Sequence, residues 1–343
     1  MRFNASTILE ITYGHEVTQQ DDEFVRLATQ ATVETAMAGS AGSVIVDFFP
    51  FLIHYPSWLP GSGFKTSALK TRALVRRTIE KPYQQVKERL AQGVAKPCIT
   101  SQLVEESYRN GTFQEEDKII EGVAGSLYGA GTETTNAILM TFILAMVRHP
   151  EAFRKAQDEI DAVVGHDRLP DLNDRDSLPY LNALITELYR YHPPLPLGIP
   201  HTVNKVDIYN GFTLPEGSMV MANIWSMSRN EDVYPEPEVF RPERFLDLTK
   251  TELDNIDPKD FTFGFGRRVC PGRWIAEDVV FLLTSRLIST MNIGKSKDVD
   301  GREITPVYGF TSGFSSHPKK FPYSITPRSA QVTHVVSRTM LET

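Results

Sequence analysis

The sequence of 343 residues contains only two cysteines, no excess of positive charge and no long uninterrupted apolar run. Because Cys98 and Cys270 lie far apart in the chain, we expect no disulfide framework, and a reducing compartment suits the sequence. The formal net charge of −7 gives no reason to expect binding to nucleic acid. The longest apolar run, 137–147, is shorter than the roughly 18 to 20 residues that span a bilayer. We expect no signal peptide, because no basic region with an apolar core follows Met1.

Hydrophobic residues make up 41% of the chain and charged residues 23%, which is an ordinary composition for a globular protein. Apolar positions recur mostly with the period of an α-helix, and strand-like patterns are confined to short stretches. The sequence therefore predicts a mainly α fold with small β-sheets (α+β). The predicted helices cover 21–38 with an end at Gly39, 65–92 with an interruption at Pro82, 116–148, 149–164 and 179–191.

Strand-like patterns occupy two stretches after the last of these helices. The first lies between 201 and 224, where Asn210-Gly211 is a strong signal for a hairpin turn. The second lies between 301 and 326. Residues 328–343 are polar and carry no clear pattern, so they are predicted to form a tail.

A single cysteine stands where a glycine-rich loop, 263–272, meets an apolar segment with helical character, 274–291. Gly264 and Gly266 allow a tight backbone that a Cβ atom would obstruct. Pro271 suits the first position of a helix, where a missing N–H costs nothing.

The start of a helix favours a thiolate over a thiol, because its free N–H groups and dipole are positive. A thiolate at Cys270 can bind a metal, and Arg268 can pair with an anionic group of a cofactor. The alternative interpretation is a buried structural cysteine beside a helix start, which is the commoner fate of a lone cysteine.

The predicted long helix contains three glycines within seven residues, at Gly125, Gly129 and Gly131. Each glycine inside a helix costs about 1 kcal/mol relative to alanine, so such a cluster needs a reason. One interpretation is that a flat, bulky group lies against this face. The other is close packing of helices through small residues.

Two side chains beside these glycines suit acid–base chemistry. The hydroxyl of Thr134 can bond the carbonyl of Ala130 one turn earlier, which widens the turn. Glu133 can relay protons inward, or it can simply be solvated.

Two of these stretches resemble motifs of the cytochrome P450 family. Residues 263–272 match the pattern F-x-x-G-x-R-x-C-x-G of its haem-binding loop at every fixed position, and 130–134 match its oxygen-activation motif A-G-x-[D/E]-T. The resemblance implies the cytochrome P450 fold and a haem b whose iron is bound by the thiolate of Cys270. The residues implied to bind the haem are Phe263, Arg268, Cys270, Gly272, Ala130, Gly131 and His201.

Individual roles within that set also follow from the resemblance. Arg268 would pair with a propionate group, and Phe263 would pack beside the sulfur. His201 would hydrogen-bond another propionate, although a histidine before a strand is more often an ordinary surface group. Thr134 and Glu133 would form the catalytic acid–alcohol pair that delivers protons in a site that otherwise excludes water.

A further pair of motifs has a structural meaning in the same family. Glu187-x-x-Arg190 places both side chains on one helix face, and Pro242-Glu243-Arg244-Phe245 resembles the P-x-R-F element that follows it. The resemblance implies a buried charge triad of Glu187, Arg190 and Arg244. We therefore interpret these residues as structural and expect their loss to abolish haem incorporation.

The resemblance implies a monooxygenase that inserts one oxygen atom of O2 into a small apolar organic substrate. Electrons would come from NADPH through a separate cytochrome P450 reductase, since no dinucleotide motif follows a predicted strand. Three alternatives remain: isomerisation or dehydration on the same scaffold, a haem-binding sensor or carrier without turnover, and an incomplete chain that is inactive in isolation.

The resemblance covers residues 1–327 as one domain, followed by the polar tail 328–343. Roughly the first third of the family's length is expected to be missing, together with its membrane anchor. The remaining sequence is similar to the sequences of fungal microsomal members of secondary metabolism. This similarity implies the cytoplasmic face of the endoplasmic reticulum for the full-length form. The proline-broken apolar segment 44–60 is either a buried connector or an exposed patch at a pocket mouth or membrane surface.

Overall fold

A computed structural model of the chain describes residues 2–19, 21–37 and 44–342. The chain divides into two compact units, 1–136 with 312–314, and 137–311 with 315–343. Helices dominate the described residues, and the strands pair only as small antiparallel sheets of two strands each. The predicted fold class, mainly α with small β-sheets, is confirmed.

The first unit consists of α-helices, most of which pack around one core. They are α1 (Arg2–Tyr13), α2 (Glu23–Met37), α3 (Ile45–Phe48), α4 (Gly63–Ala91), α5 (Ile99–Asn110) and the first part of α6 (Phe113–Arg148). Among its core residues are Leu9 of α1, Leu27 of α2, Val104 of α5 and Tyr128 of α6. The predicted end of α2 at Ala38 and Gly39 lies outside the described residues.

Helix α4 continues through Pro82, where the sequence predicts an interruption. A proline inside a helix removes one backbone hydrogen bond and crowds the preceding turn. Here Pro82 lies on the buried face together with Tyr83 and Val86, and these side chains pack against the unit's core. This burial offsets the lost bond, which local sequence does not reveal.

The start of α6 differs in detail from the capping box that Thr112 and Glu115 suggest. The N–H and the hydroxyl of Thr112 both donate to the carbonyl of Ser107, at 2.9 Å and 3.5 Å. The N–H of Glu115 donates to the carbonyl of Thr112 and not to its side chain. The helix is therefore tied to the end of α5.

The second unit holds the rest of α6, further helices and every strand found among the described residues. The helices are α7 (Pro150–Val163), α8 (Pro179–Tyr191), α9 (Ile224–Met227), α10 (Lys250–Ile256), α11 (Lys259–Thr262), α12 (Arg273–Thr290) and α13 (Ala330–Glu342). The strands are β1 (His201–Thr202), β2 (Asp207–Tyr209), β3 (Phe212–Leu214), β4 (Met219–Val220), β5 (Met291–Gly294), β6 (Ser296–Lys297), β7 (Glu303–Ile304) and β8 (Ser324–Pro327). They pair as β1–β4, β2–β3, β5–β8 and β6–β7.

The core of the second unit lies where α7, α8 and α12 pack together. Its fully buried side chains include Phe142, Leu184, Leu188 and Phe281. Helix α8 is buried over nearly its whole length, so it forms the centre of the unit. Its bounds match the prediction from sequence, because Pro179 opens it and a proline pair follows its end.

The predicted hairpin is present between β2 and β3. Tyr209 pairs with Phe212, which leaves Asn210 and Gly211 as the two turn residues. Both turn residues have positive φ, 49° and 82°, as a type I′ turn requires.

The predicted polar tail is a helix, α13, and not an unstructured segment. Val335 is buried, and Gln331 and Arg338 hydrogen-bond the side chain and the carbonyl of Asp167. These contacts join residues far apart in the chain, so the local pattern did not indicate them.

Among the described residues, α6 is the one helix long and apolar enough to cross a membrane by length and composition. Most of its apolar part is buried within the protein, as in the core helix of a globular protein.

Candidate functional site

The loop that carries Cys270 is shaped by two glycines in the second unit. Gly264 and Gly266 have φ values of 82° and 55°, in the left-handed region that side chains rarely adopt. The N–H of Cys270 donates to the carbonyl of Phe263 at 2.8 Å, which closes the loop. The thiol of Cys270 is half-buried and forms no disulfide.

Helix α12 begins just after this loop, with Gly272 as its N-cap residue. Pro271 therefore precedes the helix, whereas the sequence predicts it at the first helical position. A Cβ atom at Gly272 would lie 4.0 Å from the sulfur of Cys270, which is an ordinary van der Waals contact.

A contact between two aromatic rings joins the loop to helix α8. The ring of Phe263 packs on the ring of Tyr189 from α8, with centroids 5.3 Å apart. Burial raises the pKa of Tyr189, and the nearby Glu277 and Cys270 raise it further. Sequence reasoning placed Phe263 beside the cysteine but missed Tyr189, which belongs to a different motif.

The first turns of α12 are tied to neighbouring elements through Glu277, a buried carboxylate. It pairs with Arg175 and with Lys259 of α11, each at 3.2 Å. These contacts hold the helix that follows the cysteine, and sequence reasoning missed them as well.

Glu187, Arg190 and Arg244 meet as one cluster in the second unit. Arg190 and Glu187 are fully buried and form two hydrogen bonds, of 2.7 Å and 2.8 Å. Arg244 Nε lies 3.4 Å from Glu187 Oε1. Burial lowers the pKa of Arg244, and the carboxylate of Glu187 partly opposes that shift.

Backbone groups complete this cluster. The N–H of Arg241 donates to Glu187 at 2.8 Å, and Arg190 donates to the carbonyl of Ser228 at 3.0 Å. Arg244 also donates to the carbonyls of Pro235 and Val239. A buried charge needs such partners, because desolvation is otherwise too costly. The cluster joins α8 to the loop that follows α9.

In the first unit, the predicted oxygen-activation segment forms one turn of α6. The hydroxyl of Thr134 donates to the carbonyl of Ala130 at 2.9 Å, as its spacing suggests. Ala130 is exposed, while Glu133 and Thr134 are half-buried.

The three glycines of α6 have different surroundings. A Cβ at Gly125 would lie 2.6 Å from the side chain of Ile79, and one at Gly131 would lie 3.3 Å from that of Ile8. Close helix packing therefore explains these two positions. A Cβ at Gly129 would meet nothing within 4 Å, so this glycine lies on an open face.

The motifs of both units have counterparts in a known protein family. A sequence model of the cytochrome P450 family matches residues 1–324. The chain belongs to the cytochrome P450 family. The resemblance that the loop 263–272 and the segment 130–134 indicate is thereby confirmed.

Fungal P450 proteins are similar over almost the whole chain. Cytochrome P450 monooxygenase 136 of Postia placenta is 45% identical over 338 residues, which are 98% of this chain and 64% of that protein. Cytochrome P450 monooxygenase claR of Ampulloclitocybe clavipes is 40% identical over 338 residues, 98% of this chain and 62% of that protein. The chain thus spans less than two thirds of the length of these P450 relatives.

The P450 family implies a haem, and the loop of the second unit suits that cofactor. The thiol of Cys270 is half-buried and forms no disulfide, so the sulfur is available to a ligand. Arg268 is exposed, and within the described part of the chain its guanidinium has no ion pair. A free cation beside a free thiol fits a metal porphyrin with carboxylate side chains.

His201, the other predicted propionate partner, lies on strand β1 of the second unit. It pairs with Val220 of β4 and is exposed. The structure thus puts His201 at the surface of a two-stranded sheet, and its role toward a P450 haem stays a prediction.

A buried histidine that sequence reasoning missed lies just after α8. His192 lies between Ser316 Oγ, at 2.8 Å, and Tyr308 Oη, at 3.3 Å, and its ring stacks on Phe310. Burial lowers its pKa to about 3, and Arg229 contributes. A neutral His192 thus joins the end of α8 to the loop before β8.

Proposed function

We propose that this P450 is a haem-thiolate monooxygenase that acts on a small apolar organic substrate. The observation that carries the proposal is the half-buried thiol of Cys270, which forms no disulfide and lies on a loop with two left-handed glycines just before α12. The printed names of its relatives, cytochrome P450 monooxygenases, support the same reaction class.

The cofactor proposed is haem b, which Cys270 would hold through its sulfur. When bound, the haem would activate O2 for insertion of one oxygen atom into the substrate. Cys270 would bind the iron as a thiolate, favoured by the positive helix start. Arg268 would neutralise a propionate, and Phe263 would shield the sulfur from water.

Thr134 and Glu133, on α6 in the first unit, are proposed to manage the protons of the reaction. The hydroxyl of Thr134 already bonds the carbonyl of Ala130, so its oxygen is held in place and can accept a further hydrogen bond. Glu133, one residue earlier on the same turn, would supply the proton that Thr134 passes on. Electrons are proposed to come from NADPH through a separate cytochrome P450 reductase.

Changing Thr134 to alanine tests this role. In the haem-loaded protein with reductase, T134A should keep the thiolate spectrum, because Cys270 is untouched. Product formed per NADPH consumed should fall at least about tenfold, since general acid catalysis contributes that much or more. The measurement is product against NADPH consumption.

The matched control is Thr141 on the same helix. Its hydroxyl makes the same kind of bond, to the carbonyl of Ala137 at 2.8 Å, but it is buried in the second unit. T141V should leave the product per NADPH unchanged. Equal yields from T134A and the unaltered protein would remove Thr134 from the mechanism, and NADPH-independent conversion would indicate isomerisation or dehydration.

We also propose that the apolar segment 44–60 contacts a membrane, as at the cytoplasmic face of the endoplasmic reticulum. Phe48, Phe51 and Trp58 are 66%, 68% and 80% exposed, which argues against a buried connector. Helix α4, which follows, exposes arginines that suit anionic headgroups. Fungal members of the family are typically membrane-bound, which supports this location.

Vesicle binding tests this surface. Replacing both Phe51 and Trp58 with serine should weaken binding of the chain to phosphatidylserine-containing vesicles at least about tenfold, because burial of each large side chain is worth about 1.5–3 kcal/mol. Phe212 on the β2–β3 hairpin, 73% exposed, is the matched control. If F212S weakens binding as much in a sedimentation assay, the segment is not the contact.

A further inference from the structure

An asparagine at the start of the chain reaches the oxygen-activation turn of α6. Asn4 of α1 is 1% exposed. Its Nδ2 lies 2.9 Å from the carbonyl oxygen of Gly131 and 2.8 Å from that of Thr132. An amide nitrogen carries two hydrogens, so both of its donors are used on adjacent carbonyls of one turn.

The turn that Asn4 contacts is intrinsically weak. It contains Gly129 and Gly131, and each glycine in a helix costs about 1 kcal/mol relative to alanine. Side-chain hydroxyls also bond its backbone: Thr132 donates to the carbonyl of Tyr128 at 2.7 Å, and Thr134 to that of Ala130. The position of this turn therefore depends on side-chain hydrogen bonds as well as on the backbone hydrogen bonds of the helix.

Helix α1 is itself held firmly in the first unit. The side chain of Ile8 packs against Gly131, and the hydroxyl of Thr100 on α5 donates to the carbonyl of Thr12 at 2.6 Å. Asn4 thus contacts α6 from a helix, α1, that other contacts hold in place.

Stability alone explains Asn4 poorly. Its Oδ1 is buried and has no hydrogen-bond partner within the described part of the chain. An unsatisfied buried oxygen is unfavourable, and such groups are uncommon in folded proteins. The side chain therefore makes two hydrogen bonds through Nδ2 while its acceptor atom, Oδ1, stays unsatisfied among the described residues.

We propose that Asn4 is a positioning residue that holds the carbonyls of Gly131 and Thr132 and so fixes the directions of Glu133 and Thr134. This inference rests on the proposed monooxygenase function, because that function gives Glu133 and Thr134 their role. Asn4 touches the backbone of the turn and not the substrate, so it acts through its neighbours.

The first test uses N4L, which keeps a similar volume and removes both donors. Product formed per NADPH should fall at least about threefold in the haem-loaded protein, the effect expected from losing two ordinary hydrogen bonds. In a T134A background the same change should have no further effect, because Asn4 acts through that turn. Full additivity of the two changes would overturn the proposal.

The second test needs neither haem nor turnover. Hydrogen exchange should become at least about threefold faster at the amides of Thr135 and Asn136, whose helical acceptors are the two carbonyls that Asn4 holds. The matched control is T100V, which loosens α1 from α5 without touching this turn. Unchanged exchange in N4L, or equal acceleration in T100V, would overturn the proposal.

The two tests separate this inference from the proposed function. If the unaltered protein forms no product, the monooxygenase proposal fails, and hydrogen exchange alone decides whether Asn4 holds the turn. If the unaltered protein forms product and N4L matches it, only the role of Asn4 fails. Should N4L not fold, N4S removes the same two bonds without adding volume and takes its place in both tests.

Discussion

Replacing Glu187 with alanine should lower the free energy of unfolding by about 3 to 5 kcal/mol, because it leaves Arg190 buried without its counter-charge. Arg190 and Glu187 are both fully buried, so water cannot replace the lost partner. We expect the variant to accumulate poorly and to bind no haem. Chemical denaturation and the haem content of purified protein measure the two effects.

Glu243 provides the matched control for this change. It lies in the neighbouring P-x-R-F element and pairs with Lys155 at 2.6 Å, but both side chains are exposed to solvent. Such a pair is worth about 0 to 1 kcal/mol, so E243A should unfold close to the unaltered protein. If E187A and E243A lose equal stability, the buried cluster is not what holds this region.

A second change separates loss of charge from loss of packing. Replacing Glu187 and Arg190 together with leucine and methionine removes both charges and keeps apolar volume in the core. A buried ion pair can often be exchanged for apolar side chains without loss, so this double variant should be more stable than E187A.

Replacing Cys270 with serine should abolish the red-shifted band of the reduced carbon-monoxide difference spectrum. Serine keeps the size of the side chain but does not provide the thiolate that produces this band with haem iron. The loop itself should fold as before, because the N–H of residue 270 still bonds the carbonyl of Phe263. Absorption spectra with and without carbon monoxide make the measurement.

The other cysteine of the chain is the natural control. Cys98 is buried in the first unit, where its sulfur accepts a hydrogen bond from the N–H of Ser101 at the start of α5. Serine is a good residue at such a helix start, so C98S should fold and keep the band. If the band survives in C270S, or disappears in C98S, Cys270 is not the ligand.

Local sequence predicted the elements whose ends are determined by the residues next to them. Helix α8 lies between prolines, and the hairpin depends on Asn210 and Gly211, which tolerate positive φ. The cysteine loop and the spacing of Glu187 and Arg190 were equally visible, because each motif occupies a few consecutive positions.

Contacts between distant parts of the chain could not be predicted in this way. Asn4 meets the carbonyls of Gly131 and Thr132 through a fold that its own neighbours do not indicate. Helix α13 contains several β-branched residues, which are weak helix formers, and depends on contacts with Asp167. His192 is another such case, because its partner Ser316 lies in a distant loop.

One of the hydrogen bonds to Glu187 comes from the backbone and does not depend on which amino acid stands at position 241. The peptide nitrogen of Arg241 holds the carboxylate, whereas the side chain of Arg241 turns outward to Glu236. Alanine scanning would therefore report position 241 as dispensable, since every residue except proline offers the same N–H. A sequence comparison that weighs only side chains would overlook this hydrogen bond to the buried carboxylate of Glu187 for the same reason.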